Sequence, residues 1–307
     1  MNFPPSVPEG FASTQASLRG EAGLAWLDRL PALTEEVSHR WSLEVDGPFP
    51  NLSYNWVAPA IREDGVPAVL KLSFPGDKEF LTEAAALTAF GGRGICRLLE
   101  LDLTLGAMLL ERLRPGRPLT AVEDDEEATA LAAGVMRNLR RPTPPGHEFP
   151  TVSGWARGFE RLRHRFDGGT GPMPGNLIAE AEALFAELLA SEGEPLLLHG
   201  DLHHENILSA GGGSWLAIDP KGVVGEAAYE AAALLHNPVG ALDGPDPRGL
   251  LERRLDVLSG ELGLDQNRVR AWGLAQAVLS ACWGLEDGGR VWGEALTFAG
   301  LLAEIRE

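Results

Sequence analysis

Apolar runs and helical stripes divide the chain into two parts of different character. From 41 to 112 the runs "WSLEV", "SYNWVAPAI", "VPAVLKLSF" and "AMLLERL" are rich in Val, Leu, Ile and aromatics. Gly, Pro and Asp separate them, a pattern that predicts short strands joined by turns. Pro59 and Pro67 weaken the second and third runs, because proline belongs at strand edges and starts. One helix interrupts the strands, "DKEFLTEAAALTAF" over 77–90, with Asp77 placed to cap it and Gly91-Gly92 placed to end it. Phe80, Ala84 and Leu87 share one stripe of this helix, and Glu83 falls on the same stripe. A carboxylate on an apolar face is costly unless it has a partner.

Upstream, residues 1–20 are Pro, Ser and Gly-rich, which predicts a loosely held start. "AGLAWLDRLPALTEEVSHRW" (22–41) predicts helix broken at Pro31. After the Pro-Gly connector "RLRPGRPL" the period becomes helical, over about 124–140, 153–166, 176–191, 226–236, 248–263 and 267–284, with "RRPTPPGHEFP" (140–150) as a loop. Two short β runs, "PLLLHG" and "SWLAIDP", lie among these helices. The expected class is α+β, with a β-rich lobe over 1–111, a connector at 112–118 and a helical lobe over 119–307.

A chain of 307 residues fits two lobes. Its net charge of −18 argues against nucleic acid as a partner and admits a cationic substrate, although acidity also serves solubility. No apolar stretch reaches the roughly 18 residues of a membrane helix, and "MNFPPSVPEGF" lacks the pattern of a secretory signal. The cysteines, Cys96 and Cys282, form no CxxC pair, although one bridge between them is possible. The expected location is cytoplasmic. Only three of the 26 basic residues are Lys: Lys71, Lys78 and Lys221. Where Arg is used almost everywhere, each Lys raises the question of a site that needs a compact point charge.

The densest chemistry is "LLLHGDLHHENIL" (196–208), which holds three of the seven His. One reading makes His199, His203 and His204 metal ligands. H-x-D-x-H-H is not the helical H-E-x-x-H of zinc hydrolases, however, and Gly200 weakens any helix there. The other reading gives the weight to Asp201 and Asn206. Asp219 follows thirteen residues after Asn206, at the end of the run "WLAID", and "SAGGGS" between them is a natural hairpin turn. The hairpin brings an amide oxygen and a carboxylate together, a donor pair suited to Mg²⁺. Asp201 remains to accept a proton from a hydroxyl.

His199-Gly200-Asp201, Asn206 and Ile218-Asp219, preceded by Lys71 and Glu83, resemble the catalytic and metal loops of protein-kinase-like phosphotransferases. "LLHGDLHHENIL…WLAIDPKGVVGE" and "SYNWVAP" are similar to the aminoglycoside phosphotransferases, within them to the streptomycin 6-phosphotransferase and hydroxyurea resistance kinase group. The resemblance runs from about Leu52 to 238. It implies a bilobal protein-kinase-like fold with a β-rich N-lobe and a mainly helical C-lobe. It also implies ATP and Mg²⁺ as cofactors and a small-molecule hydroxyl as acceptor, such as that of streptomycin, another aminoglycoside, a sugar or hydroxyurea. Asp201 would be the catalytic base, Asn206 and Asp219 the metal ligands, and Lys71 with Glu83 the phosphate-positioning pair.

No G-x-G-x-x-G stands near 46–57. In its place "PNLSYNWV" offers Ser53, Tyr54 and Asn55 either as phosphate donors or as a plain hairpin turn. The resemblance makes 112–118 a hinge, with backbone groups of Glu111 and Leu113 on the nucleotide base. Lys221 reads equally as a charge on the transferring phosphoryl group and as a surface cation. His203, Glu226 and Glu230 are candidates for the acceptor's surroundings, as are Glu286, Asp287 and the Trp272–Trp283 region, whose spacing also suits core packing. A nucleotide-binding protein without transfer activity is the competing class. Oligomeric state is unreadable.

Overall fold

A computed structural model describes residues 7–238, 240–288 and 293–305. The chain forms two compact units, 1–114 and 115–307. The first contains α1 (Glu9–Trp41), β1 (Leu43–Val45), β2 (Trp56–Arg62), β3 (Pro67–Leu72), α2 (Lys78–Phe90), β4 (Leu98–Asp102) and β5 (Ala107–Glu111). Its strands form one antiparallel sheet in the order β1-β2-β3-β5-β4. Trp56, Ala58 and Ala60 pair with Leu72, Leu70 and Ala68, and this face packs on Phe11, Trp26, Leu30 and Val37 of α1. Lys71 lies between two residues of that face and therefore points to the other side of the sheet.

The prolines sit where they cost little. Pro67 opens β3. The Pro59 carbonyl accepts from Asp46 N just past the end of β1, so its missing N–H falls where no partner strand continues.

Two expectations for the N-terminus are corrected. Residues 9–20 are helical rather than loosely held, and Pro31 does not break α1. The bend lies at Gly20, with φ 56° and ψ −135°, a conformation open to glycine. Around Pro31, burial of Leu27, Leu30, Leu33 and Val37 holds the helix together despite the lost hydrogen bond. Strand β4, at the sheet edge, had no sequence expectation. Its residues are half-buried or exposed, so its pattern is faint.

The second unit contains α3 (Asp125–Leu139), α4 (Val152–Trp155), α5 (Arg157–Arg165), α6 (Gly175–Ala190), β6 (Leu196–Leu198), β7 (Ile207–Ser209), β8 (Trp215–Ala217), β9 (Val223–Gly225), α7 (Ala227–Glu230), α8 (Ala232–Leu235), α9 (Pro247–Leu262), α10 (Gln266–Gly288) and α11 (Gly293–Glu304). The single helices expected over 153–166 and 226–236 are each split in two, and α11 was not foreseen. Helix α10 is the axis of this unit, with Val269, Trp272, Leu274, Ala275, Val278, Leu279 and Cys282 wholly buried. Two antiparallel pairs, β6–β9 and β7–β8, hold the loops that follow β6 and β8. Cys96 and Cys282 are both buried, and no disulfide joins them. Among the described residues no helix is long and apolar enough to cross a membrane.

Candidate active site

The loop after β6 is held by its backbone. The Glu230 carboxylate, at the end of α7, accepts from His199 N at 2.6 Å and from Gly200 N at 3.0 Å. Burial pushes its pKa up to about 7, against the pull of these two N–H groups. His199 is wholly buried. Its Nε2 lies 2.8 Å from Ile218 O and its Nδ1 accepts from Asp201 N at 3.3 Å, which assigns the tautomer protonated on Nε2. Burial lowers its pKa to about 4, so it is neutral. With both nitrogens engaged in the loop, His199 is a brace and not a metal ligand.

Gly200 has φ 84°, and a Cβ there would come within 2.8 Å of Val223 Cγ1 and 3.1 Å of the Trp155 ring. Only glycine allows that approach. The next side chain, Asp201, keeps 40% of its area exposed. Lys221 is half-buried beside the turn, and its N–H donates to His199 O at 2.8 Å. The imidazole of His203 lies 3.8 Å from Asp201 Oδ1.

The hairpin β7–β8 places Asn206 opposite Ile218, the residue before Asp219. Ile218 N donates to Asn206 O at 2.9 Å, one step beyond the pair Ile207–Ala217. Asn206 is 9% exposed, and its Nδ2 donates to Asp201 O at 3.0 Å. That bond ties the amide to the loop after β6 and leaves Oδ1 as its acceptor atom. Asp219, just after β8, has φ 61°, an unusual backbone state for a residue other than glycine. An amide oxygen beside a carboxylate fits a hard cation such as Mg²⁺.

His204 has a different place. It is 2% exposed, burial lowers its pKa to about 4, and neither ring nitrogen has a hydrogen-bond partner among the described residues. The ion pair of Arg254 with Asp125 lies in its field, and Arg254 Nη1 also donates to the carbonyls of Leu235 and Asn237, at 2.8 and 2.6 Å.

In the first unit, Lys71 Nζ meets Glu83 Oε1 at 2.7 Å, and both side chains are about nine-tenths buried or more. The partner that the stripe of α2 required is therefore Lys71. Ser53, Tyr54 and Asn55 form the bend leading into β2, with Tyr54 53% exposed. The Glu111 N–H donates to Arg97 O at 2.8 Å and its carboxylate accepts from the Arg97 guanidinium, while Leu113 is buried.

The acidic wall is corrected. Glu226 is buried, and its carboxylate binds Arg268 Nε at 2.7 Å and the Trp272 indole N–H. Glu230 is the loop anchor described above. Neither presents a free carboxylate to an acceptor, because each was drawn inside by N–H donors. Glu286 pairs with Arg161 at 3.0 Å, and the side chain of Asp287 lies outside the described residues. Trp272 is wholly buried, whereas Trp283 is half-buried. Trp155, which sequence reasoning missed, is half-buried too. It stands edge-on to Trp283 at 5.5 Å with its ring against Gly200. The signal that could have found it is its place in a four-residue helix capped by Thr151, after a Pro-rich loop.

Comparison with known proteins gives this arrangement a family. The model of the aminoglycoside/hydroxyurea antibiotic resistance kinases matches residues 40–288. A streptomycin 6-kinase of Streptomyces griseus is 36% identical over 285 residues, covering 92% of this chain and 92% of that protein. A hydroxyurea phosphotransferase of Kitasatospora aureofaciens is 36% identical over 288 residues, covering 92% and 81%. Among solved structures, the aminoglycoside phosphotransferase APH(4)-Ia in a ternary complex with ADP and hygromycin B shares the fold, with a TM-score of 0.61 at 15% identity over 88% of this chain and 96% of that one. The chain is a phosphotransferase and belongs to the aminoglycoside/hydroxyurea antibiotic resistance kinase family.

Proposed function

We propose that the protein transfers the γ-phosphoryl group of ATP to a hydroxyl of a small cationic acceptor of the streptomycin class. The observation that carries this reading is the loop 199–206. The backbone of His199 and Gly200 and the side chains of His199 and Asn206 are tied down, while the Asp201 carboxylate alongside stays open to solvent. Such a carboxylate is built to orient a hydroxyl and receive its proton. As the acceptor oxygen bonds to the γ-phosphorus, the bond to the β,γ-bridging oxygen breaks. The proton passes to Asp201, and ADP leaves. Little covalent work falls to the protein, so positioning and charge carry the rate.

Asn206 Oδ1 and the Asp219 carboxylate would hold Mg²⁺, which supplies charge neutralisation on the phosphates. Lys71, oriented by Glu83, binds the α- and β-phosphates, and the 53–55 bend lies over them. Leu113 binds the base through its backbone, since the Glu111 N–H is committed to Arg97. Lys221 stabilises the transferring phosphoryl group. Trp155, Trp283 and His203 flank the acceptor. ATP as donor assigns the reaction to the cytoplasm. The net charge of −18 admits a cationic acceptor, and the streptomycin 6-kinases at 35–36% identity support that class. Hydroxyurea is the second reading, favoured by the family description and by a relative at the same identity.

An ATP-consumption screen over streptomycin, other aminoglycosides, free aminocyclitols, sugars and hydroxyurea tests the proposal. The expected result is fastest turnover with streptomycin-class acceptors and a product heavier by one phosphoryl group. Turnover with hydroxyurea alone would move the assignment to the second reading, and ATP binding without turnover on any of these would overturn it.

A further inference from the structure

Most of helix α1 precedes the stretch that matches the family, which begins at residue 40. Its first half is largely exposed, yet Gln15 within it is wholly buried. Burying an amide costs free energy that an apolar side chain would not incur, so its hydrogen bonds must serve a purpose. Gln15 Nε2 donates to Tyr54 O at 3.0 Å, in the bend assigned above to the phosphates. Its Oε1 accepts from Arg19 Nε at 3.2 Å. Arg19 Nη2 in turn donates to Asp77 Oδ2 at 2.7 Å, and its guanidinium lies 4.3 Å from the centre of the Phe74 ring. Asp77 Oδ1 caps α2 through Glu79 N at 2.9 Å. The series thus runs from the Tyr54 carbonyl to the first turn of the helix that carries Glu83.

Helix α1 bends at Gly20, immediately after Arg19. The bend brings Gly23 so close to the preceding turn that a Cβ there would lie 2.4 Å from Gln15 O. On this basis we propose that α1 is a brace that sets the nucleotide loop and α2 in register, with Gln15 as its positioning residue. The inference rests on reading 53–55 as the nucleotide loop. Among the described residues the loop has little else to fix it: Asn55 Oδ1 is buried with no hydrogen-bond partner there, and the Tyr54 side chain is 53% exposed.

The test is the split between KM and kcat in Gln15→Met, which keeps volume and removes the hydrogen bonds. One lost hydrogen bond on a loop that must be ordered for ATP corresponds to a rise in KM for ATP of roughly 3- to 10-fold. KM for the acceptor, and kcat at saturating ATP, are expected to stay within about 2-fold of the original. A purely structural role would lower the melting temperature and leave KM for ATP alone, and that result overturns the proposal. Arg19→Met is the second variant. Arg19 keeps 22% of its side chain exposed, so its loss spares the core, and the same rise in KM for ATP is expected. Asn55→Ala separates the two layers. If it raises KM for ATP while Gln15→Met and Arg19→Met do not, the loop reading stands and the brace falls. If none of the three moves KM for ATP, both fall.

Discussion

Lys71 and Glu83 are a buried pair at 2.7 Å, and their energetics differ from those of a surface ion pair. Removing one member strands the other charge, a loss of about 3–5 kcal/mol, whereas replacing both with apolar residues of similar size is close to neutral. Lys71→Met is therefore expected to lose both stability and affinity for ATP. Lys71→Met with Glu83→Met is expected to regain most of the stability and none of the affinity. Denaturant unfolding alongside ATP titration reads both effects, and a double variant that binds ATP normally would remove Lys71 from the phosphate site. This pair was legible in the sequence only with the His199-Gly200-Asp201 motif downstream, because the apolar stripe and the rarity of Lys by themselves fit a surface Lys and a solvated Glu equally well. Glu230 was not. Nothing in its neighbourhood tells that its oxygens meet two backbone N–H groups 30 residues upstream, so an acidic residue after the metal loop read as an acceptor wall.

At the scale of elements, most of the β runs and long helices followed from period and punctuation. The misses share a cause. Strand β4 lacks a buried face, α4 is one turn, and α1 turns at a glycine whose geometry depends on what packs against it. A helix of four residues is not stable by itself, and its context holds it. Thr151 Oγ1 accepts from Gly154 N at 2.9 Å, and Val152 packs so tightly that a Cβ on Gly225 would lie 2.5 Å from it. The result is to set Trp155 against Gly200. Trp155→Ala is therefore expected to raise KM for streptomycin by about 10-fold while leaving KM for ATP unchanged, on the scale of one buried aromatic contact. Steady-state kinetics with each substrate varied checks this, and an unchanged acceptor KM would detach the ring from the acceptor. The smaller hydroxyurea is expected to lose less.

Over the whole molecule, the buried titratable groups of the second unit set a response to acid. His199, His204 and His236 are each held near pKa 4 by burial, down from 6.5. On unfolding each would take up a proton between those values, so stability falls as pH drops from 6.5 through 4. Glu230 acts in the opposite sense. Its pKa is raised from 4.5 to about 7, so its contribution is full below 4.5 and is lost as pH rises toward 7. The histidines outnumber it, and the expected net result is a melting temperature that declines from pH 7 to 4.5. A flat or rising profile would mean that these rings stay hydrated in the folded protein. Net charge, by contrast, served in the sequence only to argue against nucleic acid and to admit a cationic acceptor.

The central claim is that Asp201 receives the acceptor's proton. Single-turnover transfer from γ-labelled ATP to streptomycin, measured with Asp201→Asn beside ATP binding by the same protein, tests it most directly. The predicted result is a fall in transfer rate of roughly 10²- to 10⁴-fold with ATP affinity retained. Transfer at the original rate by a folded Asp201→Asn protein would contradict it.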